Sequence, residues 1–347
     1  MKILVTGGAG FIGSHLIKRL LEDKNNHVFN LDKLGYASNL DLLETIYKKD
    51  KTKLLGKYEI LKVDLSNKLD TEKAIQYSSP DLIMHLAAES HVDRSIDSPE
   101  IFIYSNIVGT FNLLESTRNF WSNLNSEKKS NFRFQHISTD EVFGSLGNIG
   151  SFEETAPYDP RSPYSASKAS SDHLVRSWHH TFGIPTLITN CSNNYGPWQF
   201  PEKLIPMSIL KAYRNEPIPI YGDGKNIRDW LFIDDHIDAL LLVASIGIIG
   251  ESYCIGGRGE KSNKDVVLNV CEIMDKIRPI NAPHRHLIKY VNDRPGHDKR
   301  YSINPSKIKN ELGWESKFSF KEGLEKTINW YVENIDLYEE KFKYNYK

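Results

Sequence analysis

The feature that most constrains this chain stands at its very start. Ile3-Leu4-Val5 runs into Gly7-Gly8-Ala9-Gly10-Phe11-Ile12-Gly13, and apolar residues then recur at Leu16, Ile17, Leu20 and Leu21. An apolar run, a glycine cluster and a helical apolar period read as strand, tight turn and helix. Glycines let such a turn close and let the backbone approach a pyrophosphate, while the helix N-terminus offers free N–H groups and a dipole that favours an anion. Gly7, Gly10 and Gly13 give GxxGxxG, and Gly8, Gly10 and Gly13 also satisfy GxGxxG. Glycine-rich turns also arise for steric reasons alone, so context has to decide. Here Asp32 closes the next apolar run, near the ~20-residue offset expected of an acid that binds the ribose hydroxyls of a dinucleotide. Its carboxylate would repel a 2′-phosphate, which favours NAD over NADP; the adjacent Lys33 pulls the other way. Asp64 and Leu65, at the end of a third run, are placed to meet the adenine, with a helix N-cap as the competing use of Asp64.

The first half alternates short apolar runs with helical stretches. Lys2-Val5, Val28-Leu31, Tyr58-Val63, Leu82-Leu86, Phe134-Ser138 and Thr186-Asn190 are predicted strands. That alternation predicts an α/β fold, a Rossmann-type doubly wound parallel sheet. Beyond it, Pro- and Gly-rich turns at Asn194-Gly196-Pro197, Pro217-Pro219 and Gly222-Gly224 point to a smaller, loop-rich C-terminal substrate lobe. The expected division is an NAD-binding domain over 1–190, to which 231–256 returns, and a second lobe over 191–347. The length of 347 residues suits two lobes, because single cores stop growing near ~250–300 residues. The apolar run Ile237-Gly250 carries Asp238 and is shorter than the ~20 residues that span a bilayer, so it is predicted to be a buried helix.

Charge and cysteine content bound the function. A net charge of -1 argues against a dedicated nucleic-acid binder, which would show a basic face. Cys191, Cys254 and Cys271 form no CxxC pair, so neither a metal site nor a disulfide framework is expected. The short apolar start does not read as a signal peptide, and a cytoplasmic protein without a membrane segment is expected.

Tyr164-Ser165-Ala166-Ser167-Lys168 puts a phenol and an ammonium at i and i+4, on one face of a helix that Pro163 would open. Lowering a tyrosine from ~10 towards neutrality takes about 4 kcal/mol, roughly what a cation ~4 Å away supplies at an effective dielectric of ~20. Tyr164 could thus act as a base with Lys168 beside it, helped by the positive nicotinamide ring. An isolated YxxxK is usually a surface pair; its combination with the glycine fingerprint is what matters. Phe134-Ser138 ends in Thr139-Asp140-Glu141, two carboxyl groups at the carboxyl edge of the sheet where parallel α/β proteins bind ligands.

Taken together, Gly7 to Gly13 and Tyr164 with Lys168 resemble the extended short-chain dehydrogenase/reductase superfamily, and Thr139-Asp140-Glu141 is similar to the mark of its nucleotide-sugar 4,6-dehydratases. The resemblance runs from Met1 to about Tyr331. It includes His85 to Ser95, Asn190 to Pro197, Pro201 to Pro206, Ile227 to Trp230 and Asp293 to Asp298, and these long matches resemble the dTDP-glucose 4,6-dehydratases specifically. Phe143 stands where a Tyr is usual and Ser105 where a Thr is usual, and the stretch from Gly144 to Pro163 is short.

The resemblance implies a hydride loan. Tyr164 takes the C4 hydroxyl proton as hydride passes to NAD, Glu141 takes the C5 proton, Asp140 protonates the departing C6 hydroxyl, and hydride returns to C6. Thr139 would hydrogen-bond the sugar. Because like charges raise one pKa of a pair, Asp140 is expected to be the neutral partner. Leu86, Ala87, Ala88, Ser90, Ser105 and Asn194 are implied on the cofactor side. Ser90, Asn193, Lys203, Leu204, Tyr221, Arg228, Asn263, Arg294 and His297 are implied on the sugar-nucleotide side, with Lys203, Arg228 and Arg294 supplying positive charge for a diphosphate. Asn263 could equally begin a helix before Asp265. A homodimer is implied, built on the helix around Phe102-Phe120 and the one beginning near Tyr164; Leu113, Leu114 and Phe120 could serve it or face the protein's own core. A nucleotide-sugar 4-epimerase or decarboxylase shares the first lobe and the Tyr-Lys pair without needing Asp140 and Glu141. A non-catalytic NAD-binding regulator would need none of the four.

Overall fold

The computed structural model describes residues 1–49 and 56–338. Six strands come in chain order: β1 (Lys2–Thr6), β2 (His27–Asp32), β3 (Tyr58–Lys62), β4 (Leu82–His85), β5 (Arg133–Thr139) and β6 (Thr186–Cys191). With Ser252–Ile255 they form one seven-stranded sheet in the order Ser252–Ile255, β6, β5, β4, β1, β2, β3. Every pairing in it is parallel. Helices cover both faces, so the inner strands are buried on both sides and read as unbroken apolar runs; Ile3, Leu4 and Val5 are fully buried.

The strand order reverses between β1 and β4, and a cleft opens there at the carboxyl ends. The glycine turn that follows β1 and the Leu86–Ser90 segment that follows β4 face each other across it. Gly7, at φ 72°, shows how closely: a Cβ there would sit 2.7 Å from the Cα of Ala87.

The helix Pro163–Phe182 owes its start to local chemistry. The Ser162 hydroxyl accepts from the backbone N–H of Ser165, the Ser165 hydroxyl accepts from the N–H of Ser162, and Pro163 occupies the first turn. It stops at Gly183 in the left-handed region (φ 74°). Tyr164 is therefore fixed in the first turn, next to the end of β5. The third strand leads to a helix capped by Asn67, whose side chain accepts from the N–H of Asp70; the cap considered for Asp64 falls to Asn67.

In a core continuous with buried Ile3, Val5 and Leu16, the second half packs the helices Leu204–Tyr213, Asn263–Ile277 and Phe320–Glu333 against one another. Its strands pair two by two: Asn193–Tyr195 with Trp230–Phe232, Ile227–Arg228 with Lys261–Ser262, and Ile218–Tyr221 with Ile288–Val291. The apolar run near Ile237 is the helix Ile233–Ile246, with Ile237, Leu240 and Val243 buried. Leu113, Leu114 and Phe120 lie on Gly109–Ser122 and pack into the chain's own core with Phe29, Leu31 and Phe134. Apolar residues from the same region stay exposed instead: Ile101, Ile103, Tyr104 and Phe111, together with Phe182. Among the described residues no helix is long and apolar enough to cross a membrane.

Candidate active site

The floor of the cleft is the glycine turn. A Cβ on Gly13 would meet the Gly7 carbonyl oxygen at 2.3 Å and Gly8 Cα at 2.7 Å, so this glycine is demanded by packing. Gly10 differs: its Cβ would meet only that same oxygen, at 3.3 Å, and otherwise point into open space. Gly10 caps the helix Phe11–Leu20 without a side-chain hydrogen bond, leaving the N-terminal N–H groups free to meet an anion.

Asp32 lies opposite. Its carboxylate accepts from the N–H of Ala9 (2.9 Å), the N–H of Leu34 (2.7 Å) and the Ser38 hydroxyl (3.2 Å). A carboxylate has about four acceptor sites, so it folds the following loop and still keeps capacity for one donor. The Lys33 ammonium pairs with Glu89 (2.6 Å) and donates to Ser105 (3.2 Å). Phe11, Ile12, Asp64, Leu65, Leu86, Ala87, Ala88, Ser90 and Asn194 line the same cleft. The side-chain oxygens of Asn193 and Asn194 are buried without a hydrogen-bond partner.

Thr139, Asp140, Glu141, Tyr164 and Lys168 line the cleft beside this wall. The Thr139 hydroxyl accepts from the N–H of Glu141 and donates to Asp140, each at 3.3 Å. Asp140 is 1% exposed and its Oδ2 has no partner. Burial, then the charges of Glu141 and Asp229, push its carboxyl well above the usual range. Burial raises Glu141 too, but Arg228, Arg294 and Lys203 oppose the rise. The neighbours thus distinguish the two acids: three cations oppose the rise at Glu141, whereas at Asp140 two acids act ahead of the single cation Arg228.

Tyr164 stands at the head of the helix, 8% exposed, in the same cleft. Burial, followed by the charge of Glu141, pushes the phenol well above its ordinary value. The Lys168 ammonium donates to the Ile137 carbonyl (2.9 Å), and burial lowers its own pKa.

Lys203 reaches the cleft and donates to the Ser90 carbonyl (3.4 Å). Arg228, Arg294, Tyr221, His297, Leu204 and Asn263 lie outside the cleft wall that Tyr164 lines. Arg228 and Arg294 are nevertheless near enough to act on Glu141. Arg228 is buried, donates to the Asp298 carbonyl (3.0 Å) and lies over the Tyr301 ring. Arg294 pairs with Asp93 at 3.0 Å, and Tyr221 reaches the same carboxylate at 3.4 Å. His297 bonds Asp293 at 2.6 Å. Asn263 opens the helix Asn263–Ile277, whose cap is Ser262. Phe143 stacks on Phe152, away from the cleft wall.

Sequence reasoning missed Tyr36, Phe200 and Glu202. Tyr36 carries the Arg94 guanidinium 3.6 Å over its ring and donates to Glu202 (3.1 Å), joining the loop after β2 to the second half. No local spacing announces such a contact.

Comparison with known proteins bears on this geometry. The family described as GDP-mannose 4,6 dehydratase matches residues 4–327. The dTDP-glucose 4,6-dehydratase of Shigella flexneri is 51% identical, covering 98% of this chain and 95% of that protein. A solved structure of dTDP-glucose 4,6-dehydratase from Bacillus anthracis, in complex with NAD, superposes with a TM-score of 0.83 at 39% identity, over 97% of this chain and 98% of that one. The UDP-glucuronic acid 4-epimerase of Bacillus cereus, in complex with UDP-glucuronic acid and NAD, has the same TM-score of 0.83 at 30% identity, over 96% and 100%.

Proposed function

The chain belongs to the dTDP-glucose 4,6-dehydratase family, and from that premise we propose how its residues divide the dehydration of dTDP-glucose to dTDP-4-keto-6-deoxyglucose. The observation that carries the reading is a buried Asp140 beside a half-buried Glu141, the two sharing one cleft with Tyr164, Lys168 and a glycine cradle. An epimerase has no use for two acids of opposite protonation state there.

The cradle fits NAD. Gly10 leaves room for a pyrophosphate over the helix N-terminus, and the spare acceptor site of Asp32 suits a ribose hydroxyl. Lys33, already tied to Glu89 and Ser105, has little left for a 2′-phosphate. Phe11, Ile12, Asp64, Leu65, Leu86, Ala87, Ala88, Ser90, Ser105 and Asn194 complete the cofactor wall. When bound, NAD supplies a reversible hydride acceptor and a positive ring charge that helps Lys168 oppose the effect of burial on Tyr164.

The C5 hydrogen of glucose is not acidic until C4 is a ketone. Tyr164 accepts the C4 hydroxyl proton, with Thr139 positioned to hydrogen-bond the same oxygen. Glu141, its carboxylate favoured by three cations, takes the C5 proton and gives a proton back to C5 once the C6 hydroxyl has left and C6 has been reduced. Asp140, kept protonated by burial and by like charges, delivers a proton to the departing C6 oxygen. Lys203, Arg228 and Arg294 hold the diphosphate; Arg294 would exchange Asp93 for phosphate. Asn193, Leu204, Tyr221, Asn263 and His297 frame the rest of the nucleotide.

The lobe over 1–190, joined by 231–256, carries the cofactor, and 191–347 carries the sugar nucleotide. A homodimer forms through Ile101, Tyr104, Phe111 and Phe182, exposed on neighbouring helices, and the protein works in the cytoplasm. Incubation with dTDP-, UDP-, GDP- and CDP-glucose, scored for the 4-keto-6-deoxy product, tests the assignment. Preference for dTDP-glucose is expected, and equal kcat/KM with UDP-glucose would overturn the choice of nucleotide.

A further inference from the structure

The helix Pro163–Phe182 carries a third ionisable group on its buried face, and the chemistry above does not use it. Asp172 follows Lys168 by four residues, as Lys168 follows Tyr164, so the three side chains form one row. Asp172 is fully buried, and an ionised carboxylate in such a place needs partners. It has three: His136 Nε2 at 3.0 Å on Oδ1, and the Tyr158 hydroxyl at 2.7 Å and Asn190 Nδ2 at 3.2 Å on Oδ2. The Asn190 amide also donates to the Thr139 carbonyl at 3.1 Å, which ties this carboxylate to the strand end carrying Thr139, Asp140 and Glu141. Arg176 supports it from outside, donating to the Tyr158 hydroxyl at 2.9 Å.

Lys168 is 4% exposed, and its hydrogen bond goes to the Ile137 carbonyl, a dipole with no net charge. Four other ionisable groups face it from the elements packed around it: Asp172 on its own helix, His136 on β5, His85 on β4 and Cys191 on β6. Burial, then Lys168 itself, drives His136 down to about 4 against the pull of Asp172. Burial also takes His85 well below its usual value and pushes the Cys191 thiol up to about 12. All three are uncharged at neutral pH. Burial acts to raise Asp172 as well, but the hydrogen bond and charge of His136, with Lys168 and Tyr158, bring it below the ordinary carboxylate value. Among these groups, Asp172 is the anion.

We infer that Asp172 is a positioning residue: one helical turn from Lys168 on the same buried face, it supplies the counter-charge that keeps Lys168 a cation beside Tyr164, and through Asn190 it holds the Thr139 strand end in register with that helix. The inference rests on Tyr164 and Lys168 being the base and its cation, so two measurements are needed to separate the ideas. The first is the pH profile of kcat/KM for dTDP-glucose. Asp172→Asn should move its basic limb to lower pH by a unit or more, as Lys168 loses its proton earlier, and Asp172→Glu should move it part of the way back. The second is thermal unfolding of the nucleotide-free protein. If the two buried charges, one helical turn apart, are coupled, Lys168→Met/Asp172→Asn should unfold at a higher temperature than either single variant, since each single change strands a buried charge. Should Asp172→Asn fail to fold alone, recovery of a folded double variant is the supporting result. Additive losses in the double variant, or its failure to fold, would overturn the coupling. Thermal rescue with an unmoved pH profile would instead overturn the positioning role and the base assignment on which it rests.

Discussion

Gly10 and Gly13 stand three residues apart in one turn, yet methyl groups added to them should fail for different reasons. At Gly13 the new Cβ would lie 2.3 Å from the Gly7 oxygen and 2.7 Å from Gly8 Cα, both backbone atoms. Backbone cannot step aside as a side chain can, so Gly13→Ala should cost the ~1–3 kcal/mol typical of overpacking, or more. Unfolding entropy near ~2.1 cal/mol/K per residue turns that into a Tm loss of about 1.5–4 °C for 347 residues. At Gly10 the Cβ would meet one atom, at 3.3 Å, with φ at an ordinary -78°. Loss of glycine from this cap position costs at most ~1 kcal/mol, so Gly10→Ala should fold nearly as well as the parent. Its methyl would fill the space over the helix N-terminus and loosen NAD by roughly 10–100-fold, or ~1.4–2.7 kcal/mol. Scanning calorimetry of nucleotide-free protein and calorimetric titration with NAD measure the two effects separately. Unchanged NAD affinity in Gly10→Ala would show that the pyrophosphate does not cross Gly10, and an unchanged Tm in Gly13→Ala would refute the packing argument.

Three further outcomes are expected. Glu141→Gln should give NADH absorbance on mixing with substrate that decays slowly, and Asp140→Asn should slow loss of the C6 hydroxyl, each by roughly 10²–10⁴-fold in kcat; wild-type kcat in both would remove the distinction from an epimerase. Asp140, raised by burial and by its acidic neighbours, has a folded pKa above the unfolded one, so the fold loses stability as pH rises from the ordinary carboxylate range towards the folded value. Asp140→Asn should therefore have the higher Tm at neutral pH and lose that advantage in acid; a lower Tm at neutral pH would contradict the burial argument. Tyr104→Glu, on the exposed face that also carries Ile101 and Phe111, should give a monomer by light scattering at micromolar concentration, and a dimer of unchanged mass would move the interface elsewhere.

What was legible in the sequence was legible because it is local. The parallel strands follow from short apolar runs, and the helix start before Tyr164 from Ser162, Pro163 and Ser165. Gly10 and Gly13 can be read from the turn itself, because their close contacts are Gly7 and Gly8, whereas those of Gly7 are with Leu86 and Ala87, far off in the sequence. The roles of Leu113, Leu114 and Phe120 could not be read: a helical period shows that a face is buried, and only the fold shows that it is buried against Phe29 and Phe134. Asp64 and Asn67 compete for one cap within a few residues, a choice made by backbone geometry. Arg228 and Arg294 gather near Glu141 from distant parts of the chain, and Asp172 gains its meaning only when His136, Tyr158 and Asn190 converge on it. The motifs drew attention to the acid pair, but the cations that distinguish its two members came from the tertiary structure.

The pairing of Ser252–Ile255 with β6 also bears on how the chain is made. As the polypeptide leaves the ribosome, β6 is complete at Cys191, but the strand that covers its outer edge begins at Ser252. At ~5–20 residues per second, the 60 residues between them take about 3–12 s to synthesise. Throughout that interval the edge of β6 shows unpaired N–H and C=O groups between apolar side chains, a template for any other nascent strand. A pause or truncation in this stretch should therefore leave that edge open to another chain, whereas a longer chain carries the strand that closes it.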